Sequence, residues 1–311
     1  MLYARIIVLL FLAFIISPAL AQRGSSSPDP NQLNTNFPVS IGCTINPNVN
    51  AVTLQASQIP NPANHYLVAI VDGQSNGTNI IPTTYTPTNA SAILQMNIGD
   101  GGVYSISDPV LGTCLNAAGS GWSMLQLFDA LITAGKFDHV LVEPINVDGT
   151  AVADHASGFL QGRLATAINR LAAKGWVAGT NITVIVIWMQ GESDNLAGTT
   201  QANYTSTLNS LIAQSRAAGF AGPWFVPEET WDNGAASTAV QLAQTSVSPS
   251  GVINTSASVY PGPNLDALVG SICTGSAACR QADNTHFTTA ARANVTSVWQ
   301  TALHAALPSI F

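Results

Sequence analysis

The stretch Leu67-Val68-Ala69-Ile70-Val71-Asp72-Gly73-Gln74-Ser75-Asn76-Gly77 decides how the chain is read. Its five leading apolar residues, two Val and one Ile among them, predict a short buried strand. That strand runs directly into Gly-Gln-Ser-Asn-Gly. A serine between small residues at the carboxyl end of a buried strand sits where open α/β sheets place their sites. Glycine permits a sharp turn there and leaves space for a ligand. The alternative is a polar turn with an incidental serine, and the rest of the sequence has to separate the two.

Downstream, strand-like and helix-like segments alternate. Ile80 to Thr113 reads as loop, with scattered Pro, Gly and Asn. A helix opens after Gly119-Ser-Gly121, with Leu125, Phe128, Ala130, Leu131 and Ile132 on one buried face. His139 to Val147 is a second strand. Leu160 to Ala173 is a helix with Leu164, Ile168 and Leu171 on one side, and Gly175 is its stop. Asn181 to Met189 is the strongest strand, apolar on both faces as a central parallel strand is. Tyr204–Ala217 reads as helix, Gly222–Pro227 as a short strand, and Ala235–Thr245 and Thr288–Leu307 as helices. The alternation predicts an α/β sheet with helices on both faces. No repeat and no linker interrupts residues 65–311, which are expected to form one domain.

The amino end has a different character. Arg5, the apolar run Ile6–Ile16 and Ser17-Pro-Ala-Leu-Ala21 describe a secretory signal peptide over residues 1–21, cleaved after Ala21. The apolar run is well short of the roughly 20 residues that span a bilayer. Residues 22–64 are a Ser-, Pro- and Asn-rich extension. A secreted or periplasmic protein is expected, with no membrane attachment after cleavage.

Charged residues make up 8% of the chain and the formal net charge is −7. No basic patch is available for phosphate backbones, which argues against nucleic acid and for neutral substrates. The four cysteines, Cys43, Cys114, Cys273 and Cys279, suit disulfides in an exported chain. Of three pairings, Cys273–Cys279 with Cys43–Cys114 is favoured. No Cys/His spacing resembles a zinc site, so neither metal nor cofactor is expected. Asn-x-Ser/Thr sequons stand at Asn76, Asn89, Asn181, Asn203, Asn254 and Asn294.

Nucleophilic serine chemistry needs a base, an acid to orient it and donors for an oxyanion. Among five histidines, His286 stands out in Asp283-Asn-Thr-His286. An Asp three residues before a His supplies orienter and base from one loop. His65 and His139 flank strand starts, and His304 lies in the last helix. Asp154-His155 is a rival pair with no serine block near it in sequence. Trp188-Met-Gln190-Gly-Glu192-Ser-Asp194 ends the strongest strand, so Gln190 reaches the same crevice as Ser75 and can donate an N–H to an oxyanion. Glu192 and Asp194 are equally readable as solvated loop charges.

Gly73-Gln-Ser75-Asn76, Gln190-Gly-Glu192-Ser-Asp194 and Asp283-Asn-Thr-His286 resemble the blocks of the SGNH-hydrolase superfamily. More narrowly they resemble its sialate O-acetylesterase and acetylxylan-esterase-like branch, carbohydrate esterase family six. The resemblance spans Leu67 to Leu307. It implies a flavodoxin-like three-layer α/β/α sandwich around a mostly parallel sheet. It implies Ser75 as nucleophile, His286 as base and Asp283 as orienting acid. Its oxyanion hole would combine the Ser75 N–H, a glycine N–H and Gln190; Gly121 fits the glycine best and Gly119 second. Some relatives use a Glu as the acid, which keeps Glu192 in view, and Asn76 is a pocket candidate. Asn146-Val-Asp148-Gly-Thr lacks the double glycine that the resemblance calls for after the second strand. The implied activity is removal of acetyl or other short acyl groups from carbohydrate esters, without cofactor.

Gly73-x-Ser75-x-Gly77 also fits the nucleophile elbow of α/β-hydrolases. That fold needs strands before the elbow, yet Ser75 follows the first clear strand. It also draws Asp and His from separate loops. A non-catalytic carbohydrate-binding protein is the third reading.

Overall fold

The computed structural model describes residues 60–114 and 121–311. All eight residues of Tyr66–Gly73 (β1) are buried. Alternation along it serves two cores: Tyr66, Val68 and Ile70 pack on one face, Leu67, Ala69 and Val71 on the other. A strand apolar on both sides has to lie between two layers of helices.

Two short strands, Ile93–Met96 (β2) and Val103–Ser105 (β3), follow. Then come Leu125–Thr133 (α1), His139–Pro144 (β4), Val152–Ala156 (α2), Arg163–Ala173 (α3) and Ile182–Met189 (β5). The chain continues through Glu192–Leu196 (α4), Gln201–Ala217 (α5), Trp224–Glu228 (β6), Thr238–Thr245 (α6), Val259–Asn264 (β7) and Arg292–Ala306 (α7). These form a seven-stranded sheet in the order β3-β2-β4-β1-β5-β6-β7. Only the edge strand β3 runs antiparallel to its neighbour. Helices α1 and α7 cover the face of Leu67 and Val71, while α3, α5 and α6 cover the face of Val68 and Ile70. The molecule is a three-layer α/β/α sandwich, as expected.

The loop reading of Ile80–Thr113 is corrected, because β2 and β3 lie within it. Their few residues sit between Pro- and Gly-rich turns and leave too little periodicity to read. β7 was also hidden, since Val-Tyr-Pro-Gly-Pro-Asn carries two prolines that read as loop. At the sheet edge it pairs only with β6, so the missing N–H groups are tolerated.

The order β4-β1-β5 places the switch point of the sheet at β1. From β1 the chain builds β2, β3 and β4 on one side and later returns to its other side as β5. At such a point the connections diverge and leave a crevice beyond the carboxyl ends. Ser75 follows β1 and Gln190 follows β5 at this crevice.

Cys273–Cys279 is bridged, closing a loop before α7. Cys114 is also disulfide-bonded; its expected partner Cys43 lies outside the described residues, as do the signal peptide, the extension up to residue 59 and Gly119. No helix of the described residues is long and apolar enough to cross a membrane.

Candidate active site

Gly73 ends β1 at φ +133°, and a Cβ there would collide with the backbone of Met189 on β5. Only glycine lets the two strand ends approach so closely. The Gln74 N–H donates to Met189 O at 2.7 Å, and a single 3-10 turn, Ser75–Gly77, follows. Thr78 secures that turn through its N–H (2.9 Å) and its hydroxyl (2.7 Å), both donated to Ser75 O. Ser75 is 2% exposed, yet its Oγ is not sealed from solvent and has no hydrogen-bond partner among the described residues. Its N–H and that of Asn76 are also without partners among the described residues. They are the first donors of the turn and face no carbonyl.

His286 lies between β7 and α7. Asp283 Oδ2 accepts from His286 Nδ1 at 2.7 Å, while its Oδ1 accepts the N–H groups of Thr285 (2.9 Å) and His286 (3.0 Å). Burial pushes the Asp283 carboxyl up, but the Thr285 N–H and the His286 ring and N–H outweigh it and hold its pKa below the ordinary value. The loop is braced beneath by Arg280, which donates to Thr285 O (2.8 Å) and lies 4.0 Å from the centre of the Phe287 ring.

One side chain joins the two halves. Asn76 Oδ1 accepts from Phe287 N at 3.2 Å, and its Nδ2 lies 3.4 Å from Thr285 O. The residues either side of His286 are thus tied to the residue after Ser75. No hydrogen bond joins Ser75 Oγ to His286 among the described residues. Nδ2 also donates to Glu192 Oε1 at 2.5 Å. Burial pushes Glu192 up to about 8, against the lowering effect of its backbone and Asn76 bonds. Its carboxyl accepts from Asn76 and fixes that amide. Asn76 itself is fully buried, so its sequon offers no accessible amide.

Two expectations for the oxyanion hole are corrected. The Gly121 N–H donates to Ile81 O at 2.6 Å in an antiparallel bridge, so it is not available to a ligand. The Gln190 amide is fully buried and faces Asp194 Oδ2 (2.6 Å), Gln74 Oε1 (3.1 Å) and Thr150 O (3.2 Å). Two hydrogens facing three acceptors leave none to give. Tyr204 donates to Gln190 Oε1 (2.9 Å), and Gln244 donates to Gln190 O (2.8 Å). Gln190 and Asp194 therefore brace the floor of the crevice, fastening the ends of β1 and β5 to α4, α5 and α6. Asp194 Oδ2 also accepts the Val152 N–H (2.7 Å), so it is no solvated charge.

The rival Asp154–His155 pair does not form. Asp154 accepts the Ala151 N–H at 2.8 Å, while His155 pairs with buried Asp72 at 3.2 Å and meets Thr150 Oγ1 at 2.9 Å. The rim also holds a segment that motif reading passed over. Residues 230–235, after β6, contact the loop of Asp283 and His286 through Thr285 Oγ1 to Asp232 Oδ1 (2.9 Å) and Asn233 N to Thr285 Oγ1 (3.0 Å). Among the described residues no cluster of His, Cys, Asp and Glu could hold a metal ion.

No protein-family model and no curated protein sequence matches the chain. Solved structures do. A protein from Arabidopsis thaliana aligns at TM-score 0.56 and 16% identity, over 79% of this chain and 99% of that one. NanS aligns at TM-score 0.50 and 15% identity, over 79% of this chain and 97% of that one. The fold is that of the SGNH hydrolases.

Proposed function

We propose that the protein is a secreted serine esterase that removes acetyl or other short acyl groups from carbohydrate esters. One observation carries the reading. An Asp283–His286 pair 2.7 Å apart lies on a loop that Asn76 fastens to the turn of Ser75, whose hydroxyl has no partner among the described residues, at the switch point of the sheet. An orienting carboxylate, an imidazole and a free hydroxyl in one crevice suit acyl transfer.

In this mechanism Asp283 keeps the proton of His286 on Nδ1, leaving Nε2 as base. Nε2 takes the Ser75 proton as Oγ bonds to the ester carbonyl carbon, and the carbonyl π pair moves to oxygen. The oxyanion is met by the Ser75 N–H, with the Asn76 N–H beside it. The tetrahedral species collapses, and the leaving alcohol takes the proton from Nε2. Water, deprotonated by Nε2, then attacks the acyl carbon; the second tetrahedral species collapses, the bond to Ser75 Oγ breaks, Oγ takes the proton back from Nε2, and the acid is released. The serine–histidine bond is commonly long in free enzymes and tightens on substrate. The Cys273–Cys279 bridge and the amino-terminal signal pattern support export.

Ser75→Ala is the test. It should abolish hydrolysis of p-nitrophenyl acetate while the thermal unfolding profile stays that of the wild type. Wild-type turnover in the folded variant overturns Ser75 as the nucleophile, and unchanged glycan binding with no turnover in either protein favours the binding-module reading.

A further inference from the structure

The chain has six tryptophans. Five of them, Trp122, Trp176, Trp188, Trp224 and Trp299, are 0–2% exposed. Trp231 is the exception: it is partly exposed, and its indole N–H has no hydrogen-bond partner among the described residues. A large aromatic left at the surface forgoes the burial that its relatives in this core obtain.

Its backbone is held from several sides. The N–H groups of Thr230 and Trp231 donate to Asp266 Oδ1 at 2.7 and 2.8 Å. Asn195 Nδ2 donates to Thr230 O (2.8 Å) and Ala235 O (3.0 Å), tying the segment to α4 beside Glu192. On the other side Gly234 N reaches Asn284 O at 3.3 Å, in addition to the two bonds to Thr285. Trp231 therefore stands on a fixed rim segment bonded directly to the loop of Asp283 and His286.

The surroundings select among sugars. Asn233 and Asn284 are exposed amides next to this contact, with the Asp232 carboxylate beside them as an acceptor for hydroxyls. The cation attached to this loop, Arg280, has its nitrogens donated to the carbonyls of Leu268, Thr285 and Leu265. No guanidinium fork is left there for a substrate carboxylate, and Asp232 and Asp283 repel one.

We propose that Trp231 is the platform on which the sugar ring of the substrate stacks, and that this sugar is a neutral pyranose. The assignment rests on the carbohydrate-esterase reading and names the residue that selects the sugar. An apolar pyranose face covers the indole, while the ring hydroxyls reach the amides and the Asp232 carboxylate around it.

The test compares wild type, Trp231→Ala and Trp231→Phe on three acetyl esters: a monoacetylated methyl xyloside, 9-O-acetyl sialic acid, and ethyl acetate, which has no ring. For the acetyl xyloside, Trp231→Ala should raise KM about tenfold, the scale of one aromatic packing contact, with kcat changed less than about threefold. Trp231→Phe should recover most of the KM. On ethyl acetate the loss in kcat/KM should stay below about threefold. An equal loss on both esters, or no change in KM for the xyloside, overturns the platform. A wild type that prefers the sialic acid ester overturns the neutral sugar. A wild type that cleaves ethyl acetate but neither sugar ester overturns the carbohydrate reading itself, and Trp231 with it. Loss of the platform alone leaves that reading intact.

Discussion

Asn76→Ala breaks the link between the serine turn and the histidine loop. Asn76 supplies the direct hydrogen bonds between residues 75–77 and residues 285–287: Phe287 N to Oδ1 at 3.2 Å and Nδ2 to Thr285 O at 3.4 Å. It also holds Glu192 Oε1 at 2.5 Å. All three sites are buried, as Asn76 and Phe287 are 0% exposed and Glu192 2%. The 3.4 Å contact is weak. The Phe287 N–H is the larger loss, because an unpaired buried donor costs about 1–3 kcal/mol. With the Glu192 bond gone as well, a destabilisation of about 2–4 kcal/mol is expected. The effect on turnover has a different origin. His286 keeps Asp283 but loses its distance from Ser75, and a misplacement of about 1 Å costs about 10²-fold. The assay is kcat and KM on p-nitrophenyl acetate beside a urea unfolding curve. A fall of about 10² in kcat, with KM changed less than about threefold, is expected in a protein that still unfolds cooperatively. A folded variant that retains kcat within about threefold refutes the reasoning.

Asp283→Asn should lower kcat by up to about 10⁴, the scale for losing the acid of a serine triad; Asp154→Asn, which removes only a bond to Ala151 N, should leave kcat within about twofold. Glu192→Gln keeps the oxygen that Asn76 needs, so kcat should hardly change at pH 7; a crippled variant would instead make Glu192 the orienting acid. The same variant tests linkage. The folded state keeps the Glu192 proton up to about pH 8, whereas the unfolded chain releases it near the ordinary value of 4.5. Wild-type stability should therefore fall as pH rises through that window, by up to about 1.4 kcal/mol per unit. Glu192→Gln should remove this group's part of the slope in urea unfolding at pH 5, 6.5 and 8. Replacing Cys273 and Cys279 together by serine frees a short loop and should cost about 2 kcal/mol in the same assay; unchanged stability would mean that the bridge does not constrain the unfolded chain.

Much of the site was legible in local pattern. Leu67–Val71 and Asn181–Met189 are apolar on both faces, which forces them between two helical layers, and the turn residues Gly73 and Gly191 follow them. Asp283 and His286 share one short loop, so their pairing required no knowledge of the rest of the chain. The spacing of Cys273 and Cys279 likewise favoured their bridge.

Tertiary structure decided which polar groups remain free. Gln190 ends the central strand and carries an amide, as an oxyanion donor should. Its partners Asp194, Gln74, Thr150 and Tyr204 come from other elements, and only their convergence reveals that the amide is occupied. Gly121 looked open for the same reason, until Ile81 from a distant loop took its N–H. Asn76 read as a pocket residue and proved to be the fastener of the site, through Phe287, more than 200 positions away. Trp231 carried no motif at all; its exposure follows from where Asp266 and Asn195 hold the segment after β6. Periodicity and spacing are local, so a sequence displays them. Hydrogen-bond occupancy and burial are properties of the assembled fold, because each depends on which distant groups arrive at the same place.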